Sequence, residues 1–132
     1  RRACAFTNRT LGFINAPAIW QLVETEALDA IVDVSGYERK RDLLCGILTR
    51  IGYNLRKPEG TFYVFMKTPI ADDIEFVRML AREGVLGVPG KGFGRTGYLR
   101  LSLTVPEEMI RKSEAGFAAA FAAVQSAIRP TN

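Results

Sequence analysis

An arginine stands in the middle of an alternating run, and a series of glycines leads up to it. In residues 85–104, VLGVPGKGFGRTGYLRLSLT, Leu99, Leu101 and Leu103 fall on one side while Tyr98, Arg100 and Ser102 fall on the other, the period of a strand. Residues 85–88 before it read as a short apolar strand closed by the turn pair Pro89-Gly90. Gly90, Gly92, Gly94 and Gly97 predict a loop that bends freely and lets the backbone approach a ligand closely, because glycine has no Cβ. The planar fork of N–H donors at Arg100, beside such a loop, suits a carboxylate or a phosphate. A solvated sheet face would carry the same alternation, and spacing alone does not choose between the two.

Other chemistries are narrowed by what the sequence lacks. It contains no histidine, which removes Ser-His and Cys-His nucleophile pairs and His-ligated metals. Cys4 and Cys45 stand at unrelated spacing, indicating neither a disulfide framework nor a zinc site, and no metal site is expected. Gly92-Phe93-Gly94-Arg95-Thr96-Gly97 satisfies GxGxxG, but a strand follows it, so no helix N-terminus is offered to a pyrophosphate. The net charge is 18 − 14 = +4 without a long basic block. A nucleic-acid binder would need Arg1, Arg2, Arg9, Arg39 and Lys40 on one face, and no nucleic-acid partner is expected. No apolar run approaches the roughly 18 residues of a membrane helix, and no signal peptide opens the chain, so a cytoplasmic protein without a membrane partner is expected.

The elements that must position Arg100 follow from the patterning. At 132 residues, 48% hydrophobic and 24% charged, the chain has the balance of a globular domain. Residues 1–14 read as a helix end and a crossing loop. Asn15 before Ala16-Pro17 reads as a cap with proline in the first turn. The helix it opens runs to about Asp33, with Ile19, Leu22, Val23, Ala27, Ala30 and Ile31 at helical spacing and Trp20 on the flank. Ser35-Gly36-Tyr37-Glu38 has the form of a capping box. The helix after it places Leu44, Ile47, Leu48 and Ile51 inward, with Cys45 beside them as packing. Its run from Glu38 to Asp42 reads as a solvated face, and Gly52 as the stop.

Residues 53–56 and 61–68 flank Lys57-Pro58-Glu59-Gly60 and read as antiparallel neighbours. Phe62 to Met66 leaves no polar face, which predicts a central strand covered on both sides. Asp72 and Asp73 open a short helix, where carboxylates complement the dipole, with Ile74, Val77 and Leu80 inward and Gly84 at its end. Thr104 and Glu107 read as a second capping box, for a final helix with Phe117, Phe121, Val124 and Ile128 on one stripe and Pro130 as its stop. This order predicts an α+β fold, a small, mostly antiparallel sheet of about four strands packed with helices.

Several of these pieces together resemble a known family. Lys57-Pro58-Glu59-Gly60-Thr61-Phe62-Tyr63, Glu83-Gly84-Val85, Val88-Pro89-Gly90, Gly92-Phe93-Gly94 and Gly97-Tyr98-Leu99-Arg100-Leu101-Ser102 match, in order and spacing, the C-terminal part of class I and II pyridoxal-phosphate aminotransferases of fold type I, the aspartate-aminotransferase-like enzymes. Residues 37–44 resemble the family's helix leading into the small domain, and residues 9–17 the segment that reaches toward the other subunit's active site. The resemblance implies that residues 1–34 are an interdomain or dimer-facing segment with a helix, and residues 35–132 the C-terminal small domain.

It also implies roles. Arg100 matches the strand arginine that binds the substrate α-carboxylate, and Phe93 an aromatic that helps close the site. Asn15 lies where the family places residues near the partner subunit's cofactor phosphate. For Phe62 and Tyr63, core packing and substrate contact both remain open. The family's Schiff-base lysine sits in a serine-lysine motif of the large domain, and that motif does not occur here; Lys40, Lys57, Lys67, Lys91 and Lys112 stand in other contexts. Nor do the aspartate on the pyridine nitrogen and the stacking aromatic occur. With no methionine at position 1, the expectation is a piece of a longer aminotransferase. Its parent would use pyridoxal 5'-phosphate on amino acids and 2-oxo acids as a homodimer. The piece alone, without the large domain, would bind no cofactor, have no catalytic residue of its own and be inactive. A non-catalytic binding module of the same fold is the competing expectation.

Overall fold

In the computed structural model, which describes residues 2–12 and 17–128, the chain divides into two units, Arg1–Val32 and Asp33–Asn132. The first holds α1 (Arg2–Thr10) and α2 (Ala18–Glu26). Every described residue of this unit is exposed, among them Phe6, Ile19, Trp20 and Leu22. The helix expected to reach Asp33 stops at Glu26, where the Ala27 N–H turns back to the Glu24 carbonyl. None of its apolar stripe is buried, and a helix this short takes most of its stability from such burial. Asn15 lies outside the described residues, and Pro17 holds the position before the first helical residue.

The second unit runs α3 (Val34–Ile51), β1 (Tyr63–Lys67), α4 (Asp73–Arg82), β2 (Val88–Pro89), a single 3₁₀ turn (Gly90–Phe93), β3 (Tyr98–Ser102) and α5 (Glu107–Ile128). The sheet is antiparallel with order β1-β3-β2. The α+β class holds, with three strands in place of about four. Residues 53–56 form no strand. Gly52 ends α3 at φ +112°, a conformation glycine adopts without strain, and the turn it makes drives Tyr53 into the core. There the Tyr53 ring lies edge-on to Phe76 and Phe117, and its hydroxyl donates to the Phe117 carbonyl at 2.9 Å. Strand β1 therefore pairs with β3 and forms no hairpin with the preceding segment. It lies at the sheet edge, not the centre. Val64 and Met66 are buried, whereas Tyr63, Phe65 and Lys67 point outward. A strand without a polar face was expected to be covered twice; here its outward aromatics are surface.

One face of the sheet supplies Val64, Met66, Leu99 and Leu101 to the core. Leu44, Ile47 and Leu48 of α3, Phe76 and Leu80 of α4, and Phe117, Ala120 and Val124 of α5 close over it. Each large apolar side chain buried this way contributes roughly 1.5–3 kcal/mol. Cys45 belongs to this core, and burial pushes its thiol pKa up, away from reactivity.

The caps differ in detail. Asp33, not Ser35, caps α3, accepting from the Gly36 N–H at 3.3 Å and the Ser35 hydroxyl at 2.6 Å. Helix α5 begins at Glu107, opened by the Pro106 carbonyl, while Thr104 pairs its hydroxyl with Ser102 instead of capping. The charged run on α3 is not wholly solvated. Arg41 is only 14% exposed and bonds Asp42, Glu38 and the Pro58 carbonyl. Arg41, and then Lys57, hold the Asp42 carboxyl down at about 2, so that this link persists well into acid.

Tyr53 gives the opposite end of the pH range a handle. Burial raises its phenol pKa above the ordinary value, so the folded chain keeps a proton that the unfolded chain releases above about pH 10. The stability linked to this group is complete below that pH and is lost as pH climbs further. Tyr53→Phe is expected to flatten the alkaline decline of the urea midpoint between about pH 9 and 12. Parallel declines in both proteins would show that Tyr53 does not drive it.

Candidate functional site

Arg100 lies on the face of the sheet turned away from the core, in the central strand. Its cross-strand neighbours are Phe65 on β1 and Val88 on β2. The guanidinium carbon sits 4.3 Å from the centre of the Tyr63 ring and 4.2 Å from that of Phe93. Two aromatic rings thus hold the cation, a contact of roughly 0.5–2 kcal/mol per ring depending on desolvation. Among the described residues Arg100 has no ion pair and no hydrogen-bond partner. Its donors are therefore available to an anion arriving from solution.

The rings form two groups that meet through the Arg100 guanidinium. Phe93 meets Phe65 edge-on at 6.3 Å, Phe65 stacks on Tyr98 at 5.2 Å, and Phe62 lies 4.4 Å from Tyr63. Phe93 is 48% exposed and Phe65 37%. Of the two side chains for which core packing and substrate contact were both open, neither joins the core: Tyr63 is a direct neighbour of Arg100, and Phe62 is exposed beside Tyr63. A second cation, Arg95, stacks on Tyr98 at 4.3 Å and donates to its hydroxyl at 2.8 Å. In the sequence, its spacing of three from Tyr98, across a turn, is the signal of this pair.

The loop that delivers Phe93 is ordered where free bending was expected. Gly90–Phe93 makes a 3₁₀ turn, the Arg95 N–H bonds the Gly90 carbonyl at 3.0 Å, and the Thr68 N–H bonds the Gly97 carbonyl at 2.9 Å. At Gly90 an added Cβ would come within 2.3 Å of the Arg95 carbonyl oxygen and 2.7 Å of the Tyr98 Cβ. That glycine serves close packing, and the turn is preformed. The GxGxxG run leads into β3, as its context indicated.

No group of three or more metal-ligating side chains occurs among the described residues. An apolar hollow of about 260 Å³ beside Leu44, Val85 and Met109 is lined by no charged residue, so it offers an anion no counter-charge. The lysines do not make a cofactor site either. Lys57 is paired with Asp42, Lys112 with Glu108, Lys40 lies over Tyr37, and Lys67 and Lys91 are exposed. A Schiff-base lysine needs a desolvated pocket, and no lysine here has one. The residues present fit a carboxylate and do not by themselves fit pyridoxal phosphate.

Residues 16–113 match the family described as aminotransferase class I and II, and the chain belongs to that family. The aspartate/prephenate aminotransferase of Thermus thermophilus is 42% identical over 101 residues, covering 74% of this chain and 26% of that protein. An LL-diaminopimelate aminotransferase of Dehalococcoides mccartyi is 35% identical over 111 residues, 77% of this chain and 29% of that protein. Among solved structures, an amino transferase from Eubacterium rectale superposes with a TM-score of 0.83 at 38% identity, over 89% of this chain and 29% of its own. The aspartate aminotransferase of Thermus thermophilus with maleate does so at 0.67 and 38%, over 75% of this chain and 27% of its own. The chain therefore spans less than a third of each of these relatives.

Proposed function

We propose that this chain is the C-terminal small domain, with a preceding interdomain segment, of a pyridoxal-phosphate-dependent aminotransferase acting on amino acids and 2-oxo acids. The observation that carries this is Arg100, a cation with no counter-ion among the described residues, held against Tyr63 and Phe93 on the sheet face turned away from the core. Its task is to bind the substrate α-carboxylate by a charge-assisted, two-pronged pair. Phe93 and Tyr63 exclude water from that pair and strengthen it. Movement of the domain against the rest of the enzyme then encloses the substrate. That one relative was solved with maleate, a dicarboxylate, agrees with an acid-binding site in this family.

The longer protein supplies the chemistry this chain does not. Pyridoxal phosphate, acting as an electron sink, and the lysine that moves the proton belong to residues other than those described. In this reading the exposed apolar side chains of Arg1–Val32 face the large domain or a second subunit of a homodimer, and Asn15 lies toward the partner's cofactor phosphate. The protein works in the cytoplasm.

The test compares two proteins. The longer polypeptide containing this chain, supplied with pyridoxal phosphate, glutamate and a 2-oxo acid, is expected to form the matching amino acid. The 132-residue chain alone is expected to form none. Turnover by the chain alone, or none by the longer polypeptide across a panel of 2-oxo acids, overturns the proposal.

A further inference from the structure

Two aspartates open α4, and a helix start needs only one of them. Asp72 is the cap: its Oδ1 accepts the N–H groups of Ile74 and Glu75, both at 3.0 Å. Asp73 does something else. It is 1% exposed, has no ion pair among the described residues, and accepts the Lys91 N–H on Oδ2 at 2.7 Å. Lys91 lies within the 3₁₀ turn, two residues before Phe93, whose ring covers Arg100. A buried carboxylate is costly to keep, and what offsets that cost here is the α4 N-terminus and this one donor.

The backbone ties on the turn are Gly94 N–H to Lys91, Arg95 N–H to Gly90 and Thr68 N–H to Gly97, and the Arg95 side chain reaches only Tyr98 of the sheet. Asp73 is the side chain that fastens the turn to the helix layer. We propose that Asp73 is a positioning residue for the anion site: by holding the Lys91 N–H it fixes the turn that sets Phe93 over Arg100. The distance from Asp73 to the anion is bridged by three steps, Asp73 to Lys91, Lys91 to Phe93 along the turn, and Phe93 to Arg100. Such support by neighbours is what keeps a binding group within the narrow geometry it needs. The inference rests on the carboxylate reading only for the identity of the anion.

The test uses the 132-residue chain and acetate as the probe, so it requires no transamination. Acetate is titrated against wild type, Asp73→Asn and Asp73→Ala while the Arg100 Nε–Hε resonance is followed, and amide exchange is measured at Lys91 and Phe93. Asp73→Ala is expected to weaken acetate binding by about 5- to 10-fold and to speed exchange at Lys91 and Phe93, leaving α5 amides protected. Asp73→Asn keeps an accepting oxygen and is expected to bind within about 2-fold of wild type. Lys91→Pro deletes the donor from the other side, leaves Asp73 in place, and is expected to repeat the alanine result; it stands in if Asp73→Ala does not fold. Wild-type acetate affinity in Asp73→Ala or Lys91→Pro overturns the proposal. So does equal weakening in the asparagine and alanine variants with protection lost throughout, the signature of a purely structural group. Absence of any acetate response in wild type would count against the carboxylate reading, while the exchange data would still decide whether Asp73 holds the turn.

Discussion

Converting Arg100 to alanine in the longer polypeptide will raise KM for the amino acid and lower kcat/KM by about 3–5 kcal/mol, roughly 150- to 5,000-fold. The size follows from what the substitution leaves behind. Once substrate is enclosed, its carboxylate faces Tyr63 and Phe93 without the cation between them, and a buried charge that has lost its partner bears the full cost of desolvation. Arg100→Lys keeps the charge and loses the planar fork, so it should fall between alanine and wild type. Steady-state kinetics over a range of amino-acid concentrations read both. Kinetics indistinguishable from wild type would remove Arg100 from contact with substrate.

The largest effect on stability is expected at Phe76. Its side chain is 0% exposed, lies 6.1 Å edge-on from Tyr53, and sits where α4 meets the rest of the core. Phe76→Ala should cost about 3–5 kcal/mol, the sum of lost transfer energy and the cavity left behind. A domain stable by only about 5–15 kcal/mol would lose a large part of its margin. The urea midpoint should fall with an unchanged slope. A loss below about 1 kcal/mol would mean that the ring is not enclosed as described. Arg100→Ala in the same experiment is the useful contrast: it removes two part-exposed ring contacts of about 0.5–1 kcal/mol each and should cost less than Phe76→Ala, about 1–2 kcal/mol.

What the sequence made legible divides along physical lines. The face of Arg100 was readable because side-chain direction in a strand alternates strictly, so three leucines on one side place the arginine on the other. The inward stripes of α3 and α5 were readable for the matching reason in helices, though Ala120 was missing from the second; on α4 Leu80 held, while Phe76 takes the core position expected of Ile74. Partner choice was not readable. Nothing local in Phe62 to Met66 says that its apolar outer side is a platform and not a second buried face, since both call for the same residues. Tyr53 misled in another way. An aromatic after a helix-ending glycine suits a strand, but the buried destination of its ring decided the backbone instead. Asp73 was read only as a complement to the helix dipole, because its tie to Lys91 spans 18 residues and leaves no local trace. A doubled aspartate where one cap suffices was the trace that could have been followed. Asn15 stays a proposal from resemblance alone.

The way α3 and α5 cover one another also governs how the domain comes into being. The Tyr53 hydroxyl reaches Phe117 across 64 residues, and β1 must wait for β3, with Tyr63 opposite Ser102, before it has any strand to pair with. Long closures of this kind slow folding, since chain entropy is surrendered well before contacts return it. On the ribosome, α3 emerges with its greasy stripe bare and stays so until α5 has cleared the exit tunnel. Until then the domain's apolar surface needs shielding, and its assembly waits on the docking of that last helix.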